Sequence, residues 1–435
     1  MHPLMRLPYA AAVSAARLAA ALTPAGEGKV RGSLRGRRGI RARYVAWGRT
    51  HRDASRPLVW FHAPSVGEGL QARPVIDLVR ARHPDWQIAY THFSPSAAAF
   101  AQSVGADFVD YLPFDGAADM DAAITALRPS ALIFAKLDLW PVLAERAVMR
   151  GVPLGMISAT LAAGSSRASG VAAMLLTDAY AALDAVGAID VGDAARLTAL
   201  GVQRDRVTVT GDTRYDQVWG RAHATDRASA ILSPLASLRP TLVAGSTWPA
   251  DETPLLAAWE EVRARVSDAR LIIAPHEPTA SHLEPIERWA GLAGLTVARL
   301  GTHEASRSDV VLVDRVGVLG DLYALSSVAF VGGGFHSAGL HSVVEPAAFG
   351  APVVFGPEHR MSRDAGLLLD AGGGFVAKDA DALAMRLLAL FTEPTARAAA
   401  GSRARAVVEA GLGAAERSFR IVEGLVERAR ATSNE

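Results

Sequence analysis

The chain has 435 residues, half of them hydrophobic, which exceeds what one ordinary core accommodates and calls for two domains of roughly 200 residues each. It contains no cysteine, which excludes disulfide frameworks, thiolate metal sites and a cysteine nucleophile, and leaves the chemistry to oxygen and nitrogen side chains. A formal net charge of +1 supplies no overall field to gather nucleic acid.

The first element, residues 4–22, is Ala-rich and apolar but interrupted by Arg6, Pro8 and Arg17, and its length barely reaches the ~20 residues of a bilayer span. A cleaved signal would explain the apolar run and the small residues near Thr23. Against it, Arg17 sits inside that run and the basic stretch that follows opposes translocation. That stretch holds Lys29, Arg31, Arg35, Arg37, Arg38, Arg41, Arg43, Arg49, Arg52 and Arg56, with Asp53 the sole local acid. The expectation is an uncleaved helix lying on the membrane, its basic run held by anionic headgroups; the alternative is a helix packed on its own domain.

From Leu58 onward, short runs rich in β-branched and aromatic residues alternate with longer Ala/Arg/Leu stretches, the rhythm of βαβ units and parallel sheets. Strands are expected at 58–62, 87–91, 108–111, 131–135, 153–158, 185–189 and 207–210, with a helix over 68–82. The rhythm restarts with strands at 241–245, 270–274, 310–313, 328–331, 352–355 and 374–376. Between the halves the β-branched runs stop, and Ser233-Pro234 and Arg239-Pro240 punctuate the chain, which places the boundary near Gly220. The expected layout is a membrane-associated helix at 1–23, Rossmann-like domains at 24–218 and 219–404, and a terminal helix at 405–435 packing back on the first domain.

Open parallel sheets bind ligands beyond the carboxyl ends of their strands, so the loops after each run are the candidate sites. After 58–62 the chain breaks at Pro64, turns through Ser65 and Gly67, and enters a helix at Glu68. A carboxylate there is stabilised by the helix dipole and can act as a base, although the Ser65–Glu68 spacing equally describes a capping box. After 131–135 come Lys136 and Asp138, two apart on one side of a pleat: either a clamp for a polar substrate group or a surface pair. Arg214 follows the last strand of the first half, toward the hinge and the expected interdomain cleft, where a lone cation also often serves by bonding carbonyls or a nearby Asp.

In the second half, Gly245-Ser246-Thr247 and Pro275-His276 each end a strand in polar groups. The run 328–334 enters a Gly-rich turn followed by His341, Ser342 and Glu345. Glycines after a strand and amides at a helix start can cradle phosphate, and Glu345 can accept hydrogen bonds from ribose hydroxyls. The glycine spacing matches neither a dinucleotide fingerprint nor a P-loop.

In order, His62-Ala-Pro-Ser-Val-Gly-Glu68, Thr91-His-Phe-Ser-Pro-Ser96, Leu139-Trp-Pro141, Gly211-Asp-Thr-Arg-Tyr-Asp216, Gly245-Ser-Thr247, Ala274-Pro-His276, Phe330-Val-Gly-Gly-Gly-Phe335 through Glu345-Pro-Ala, and Phe355-Gly-Pro357 resemble the Kdo transferase family. These are 3-deoxy-D-manno-octulosonic acid transferases acting on lipid A, and the resemblance runs through almost the whole chain. It implies a GT-B fold, two Rossmann-like domains facing a cleft, with a CMP-Kdo donor bound mainly by the C-terminal domain and a lipid A precursor on the N-terminal one. It further implies no metal, no cofactor beyond the substrates, and a place on the cytoplasmic face of the bacterial inner membrane.

Carried over residue by residue, the resemblance makes Glu68 the general base, with Asp138 and Arg214 as helpers at the reacting centre. Donor contacts fall on Ser246, Thr247, Pro275, His276, Gly317, Gly333, Gly334, Ser342, Val343, Val344 and Glu345, and acceptor or anion contacts on Ser65, Lys136, Arg37 and Arg38. Departures from the family pattern are Ser342 where an Asn is usual, Glu277 near a region that usually holds an Arg, Asp138 where Glu is frequent, and Lys136 where an acid or Thr is frequent. A GT-B transferase using a UDP-sugar, or a non-catalytic lipid-binding relative, are the competing readings.

Overall fold

A computed structural model describes residues 1–24, 28–337 and 339–433. The chain divides into two compact units, Met1–Gln217 with Leu412–Glu435, and Val218–Gly411.

The first unit is built on a seven-stranded parallel sheet of order β3-β2-β1-β4-β5-β6-β7. Its strands are β1 Leu58–His62, β2 Gln87–His92, β3 Phe108–Tyr111, β4 Ala131–Ala135, β5 Leu154–Ala159, β6 Ala185–Ala188 and β7 Val207–Val209. Strands β1, β2, β4 and β5 are buried along their whole length, as expected of a sheet covered on both faces.

The second unit repeats the plan with β8 Thr241–Thr247, β9 Arg270–Pro275, β10 Val297–Arg299, β11 Val310–Leu312, β12 Val328–Val331, β13 Val353–Phe355 and β14 Gly374–Val376, in the order β10-β11-β9-β8-β12-β13-β14. Twelve of the thirteen expected strands match within one residue at each end; β8 runs two residues further, to Thr247. The edge strand β10 is additional. It has three residues, half-exposed and ending in an exposed Arg, between Gly294 and Gly301, too little apolar pattern to read as a strand.

The chain returns to the first unit at Leu412. Residues 405–411 belong to the helix Pro394–Ala410 and its end in the second unit, so the expected divide at 404/405 moves to 411/412. Asp216 fixes the return by accepting the Gly413 and Ala415 amides at 2.8 and 2.9 Å, at the start of the helix Ala414–Ser433. Phe419, Val422, Leu425 and Val426 of that helix then complete a core with Val59, Phe61, Ile133 and Ile157.

The helix Pro3–Leu22 lies against its own unit along one face: Tyr9 donates to Asp115 at 2.7 Å, Arg17 stands 3.4 Å from Asp119, and Ala20 is buried. Its opposite face carries Leu4, Leu7, Ala11, Ala15, Leu18 and Leu22, spaced three and four apart and exposed, the leucines by 61–82 %. Among the described residues, no helix is long and apolar enough to cross a membrane.

Candidate active site

Each sheet order reverses direction once, between β1 and β4 in the first unit and between β8 and β12 in the second. At such a switch point the loops leaving the two neighbouring strands diverge and open a crevice at the carboxyl edge. Ser65, Glu68, Lys136 and Asp138 of the first unit, and Ser246, Thr247, Gly333, Gly334 and Ser342 of the second, lie on those loops or at the ends of those strands, while Arg214, His276 and Gly317 follow β7, β9 and β11.

In the first unit Ser65 is the residue before the helix Val66–Arg82, and Glu68 sits in its first turn. The capping box is not formed, because the Ser65 side chain makes no hydrogen bond to the helix amides and donates instead to Glu68 Oε2. Glu68 Oε1 accepts from Lys136 Nζ at 3.4 Å. The Glu68 carboxylate is therefore held from two sides while its side chain stays 18 % exposed.

Lys136 reaches Glu68 because β4 ends one residue earlier. With φ at 66°, Lys136 occupies the left-handed region, which turns the chain out of the strand. Lys136 and Asp138 therefore do not share a side of a pleat. Asp138 Oδ2 lies 3.1 Å from His62 Nε2 and accepts from Trp140 Nε1 at 3.0 Å. Burial pulls the Asp138 pKa up, but the bond and charge of His62 and the Trp140 N–H outweigh it, with help from the charge of Arg167, and the carboxyl stays below the usual aspartate range. His62, fully buried at the end of β1, is anchored through Nδ1 by Thr91 Oγ1 at 3.0 Å.

Arg214 donates from Nε to Asp212 Oδ2 at 2.8 Å, and Asp212 also takes the Gln71 amide at 3.2 Å. Its guanidinium is thus oriented by a buried carboxylate. Arg37 is buried inside its own unit, away from the anion contact expected of it, whereas Arg38 is exposed and engages backbone carbonyls. Arg37 is 4 % exposed; it donates from Nε to Leu112 O at 2.8 Å and lies over the Phe93 ring, and burial pushes its pKa down to about 10. Arg38 donates to Ala20 O and Ala21 O, the last carbonyls of the first helix, at 2.8 and 3.1 Å. Asp110 and Asp119, remote in sequence, pair with Arg43 and Arg41, so the basic run has more opposition than Asp53; Arg31, Arg35 and Arg49 stay exposed, and the side chain of Lys29 lies outside the described residues.

In the second unit β8 bends at Ser246, where φ is 55° and the register with β9 shifts. Thr247 is buried and donates to Glu252 at 2.9 Å, so it braces the loop from below. Trp248 follows. Its ring stacks on His276, which lies just beyond Pro275 at the end of β9, and on His336; His276 stacks in turn on His341. Trp248 Nε1 donates to His341 Nε2 at 3.2 Å. That bond requires a lone pair on Nε2 and a neutral ring, in keeping with a His341 pKa lowered by burial and by the charge of His276.

The glycine turn is not a free phosphate cradle. The Gly333 and Phe335 amides donate at 2.7 and 3.0 Å to Asp251, a fully buried carboxylate that also takes the Trp248 amide at 3.0 Å. The glycines are needed for close backbone passage: a Cβ at Gly332 would lie 2.2 Å from Ser246 O, and one at Gly334 would lie 2.4 Å from Gly356 N. Gly317 turns at φ 91° with its carbonyl held by Arg221 at 3.1 Å.

Ser342 and the buried Val343 precede a helix of five residues, Val344–Ala348, whose Val344 side chain is also buried. Glu345 in its first turn has its pKa raised by burial, against the opposing effects of the Arg221 charge and the Ser342 hydrogen bond. His62, Trp248, Asp251 and His336 are the members that sequence reasoning missed. His62 stood in a quoted motif, but a histidine ending an apolar strand also reads as core.

Two parallel sheets, each carrying its polar loops at a switch point, define a two-domain protein of the GT-B type. Solved structures agree at the level of fold: a UDP-GlcNAc 2-epimerase from Neisseria meningitidis bound to UDP-GlcNAc aligns with TM-score 0.63 at 14 % identity over 86 % of this chain and 100 % of that one. A glycosyltransferase from Rickettsia africae aligns with TM-score 0.56 at 10 % identity over 86 % and 98 %.

The family model described as 3-Deoxy-D-manno-octulosonic-acid transferase (kdotransferase) matches residues 38–217. The 3-deoxy-D-manno-octulosonic acid transferase of Bordetella pertussis is 29 % identical over 399 residues, 87 % of this chain and 90 % of that protein. The enzyme of the same name from Haemophilus influenzae is 27 % identical over 389 residues, 85 % and 87 %. The first unit is therefore similar to the Kdo transferase model over nearly its whole strand-bearing length, and most of the chain is similar to glycosyltransferases of that name.

Proposed function

We propose that the chain transfers Kdo from CMP-Kdo to a hydroxyl of a lipid A precursor of the lipid IVA type, with inversion at the anomeric carbon and Glu68 as general base. The observation that carries the reading is the Glu68 carboxylate, partly open at the carboxyl edge and steadied by Ser65 and Lys136. In the reaction Glu68 takes the proton of the acceptor hydroxyl, its oxygen forms the new bond to the anomeric carbon, and the bond from that carbon to the CMP phosphate oxygen breaks, its electron pair leaving with CMP. A base so placed contributes typically 10²–10⁴-fold.

Cations meet the anions of the donor. Lys136 and Arg214 suit the Kdo carboxylate, and His276 with the amides near Ser342 suits the phosphate. Asp138 acts through His62, whose ring it holds at the end of β1. The chemistry so written uses no metal and no cofactor beyond the two substrates.

The exposed leucine stripe of Pro3–Leu22 supports attachment to the cytoplasmic face of the inner membrane, with the stripe in the acyl boundary and Arg31 and Arg35 near the headgroups. The test is transfer from CMP-Kdo, generated in situ, to a tetraacylated lipid A precursor in detergent, followed by acceptor mass, with wild type beside Glu68→Gln. A gain of one or more Kdo units in wild type alone is expected. No gain with CMP still bound redirects the reading to another sugar or acceptor; no gain and no nucleotide binding overturns it.

A further inference from the structure

The edge of the first sheet opposite Glu68 carries a cavity of about 960 Å³, formed where the chain enters its strands: Pro57 before β1, Ser130 before β4, Pro153 before β5 and Asp184 before β6. That edge lies a strand length from the catalytic loops, roughly 17 Å for five residues. Six arginines line the cavity, Arg52, Arg56, Arg128, Arg150, Arg428 and Arg430, against a single acid, Asp184.

The charges are unevenly matched. Asp184 is already engaged, accepting the Leu154 amide at 2.8 Å and standing 3.7 Å from Arg206. Arg150 is paired with Asp121 at 3.0 Å. Arg52 and Arg128 reach for each other's backbone carbonyls, at 2.9 and 3.3 Å, which brings two guanidinium groups together with no carboxylate bridging them. Arg128 does this from the left-handed region, at φ 45°, a conformation that ends the helix Ala117–Leu127 and costs an arginine what it would not cost a glycine.

The crowding registers on Arg52, whose pKa is pushed down to about 10, first by burial and then by Arg128, with Asp53 opposing and Arg56 adding to the fall. Arg56 donates from Nε to the Asp85 carbonyl and Arg128 to the Arg52 carbonyl; among the described residues neither they nor Arg430 is paired with a carboxylate, and Arg430 stands in the last turn of the returning helix. Guanidinium forks gathered around an open cavity match the oxygens of phosphoryl groups, and the volume is that of a metabolite site.

We propose that this amino-edge cavity is a second ligand site, separate from the transfer site, that binds a small molecule bearing two or more phosphoryl groups. Bound there, the ligand neutralises Arg56, Arg128 and Arg430 together and ties the last turn of the returning helix to the entrances of β1 and β4.

The test uses the full chain and inorganic pyrophosphate as probe, by titration calorimetry and thermal unfolding. Three proteins are compared: wild type, the triple variant Arg56→Gln, Arg128→Gly, Arg430→Gln, and His276→Ala in the second unit. Glycine at 128 suits the backbone it replaces, so the triple variant is expected to fold. Pyrophosphate should bind wild type and His276→Ala alike and raise the Tm of both, with affinity at least tenfold lower in the triple variant. The proposal fails if wild type does not bind, if the triple variant binds equally well, or if His276→Ala alone abolishes binding. It also fails if the triple variant loses only adhesion to phosphatidylglycerol vesicles, which would make the patch a lipid contact.

Discussion

The Lys136 ammonium stands 3.4 Å from a Glu68 oxygen, and it reaches that place from a left-handed backbone conformation at the end of β4. Strain in a loop that also carries a charge onto the candidate base is a signature of a position shaped by chemistry rather than stability. Replacing Lys136 with Gly is expected to relax the backbone and with Ala to leave it strained, so the Gly variant should be the more stable by about 1 kcal/mol. Both should lose transfer activity by tenfold or more. Thermal unfolding and turnover, measured on the pair, check the separation.

Asp251 is expected to be a keystone of the second unit. Asp251→Ala orphans the Gly333, Phe335 and Trp248 amides, at about 1–3 kcal/mol for each buried donor, and so should cost at least about 3 kcal/mol. Asp251→Asn keeps one accepting oxygen and should fall between it and wild type. Urea unfolding gives the ranking, and nucleotide binding should weaken in the same order as the glycine turn loosens.

A pH effect follows from Asp115, which is buried and accepts from Tyr9 and from the Val142 and Leu143 amides. Burial raises its pKa to about 6, with those bonds and His62 pulling the other way. Between about pH 4 and 6 the folded chain holds a proton that the unfolded chain has released, so this group makes stability fall as pH rises through that window. The full effect is about 3 kcal/mol for a shift of roughly two units. Asp115→Asn should flatten that part of the stability-versus-pH curve; an unchanged slope would show that the group does not titrate there.

The leucine stripe of the first helix can be altered without disturbing the face held by Tyr9 and Arg17. Leu7→Ser combined with Leu18→Ser should leave Tm unchanged and lower partition onto vesicles containing anionic lipid by at least tenfold, since each leucine buries about 1.5–3 kcal/mol of apolar surface. Vesicle co-sedimentation reads the result.

Much of the fold was legible because its signals are local. Strands such as β1 and β4 are unbroken apolar runs, and Pro64, Gly67 and Pro141 mark where the chain turns into the following helices. The site was legible in part. Ser65 and Glu68 are three apart on one turn, so their meeting could be read from spacing, though not that the serine would donate to the carboxylate in place of capping the helix. Asp251 was hidden because an acid in the first turn of a helix looks like an ordinary dipole partner, and two of its three amides lie 82 and 84 residues further along the chain.

The sequence by itself determined the two parallel sheets, the loops that end their strands and the resemblance to Kdo transferases, because hydrophobic period, turn residues and motif order are properties of neighbouring positions. Tertiary structure decided the pairings. Whether Lys136 faced Asp138 or Glu68, whether Arg37 met solvent or the carbonyl of Leu112, and whether the glycine amides were free or held by Asp251 depended on strand order and on single backbone torsions. Those bring together groups tens of residues apart, at distances where a hydrogen bond forms or fails within an ångström.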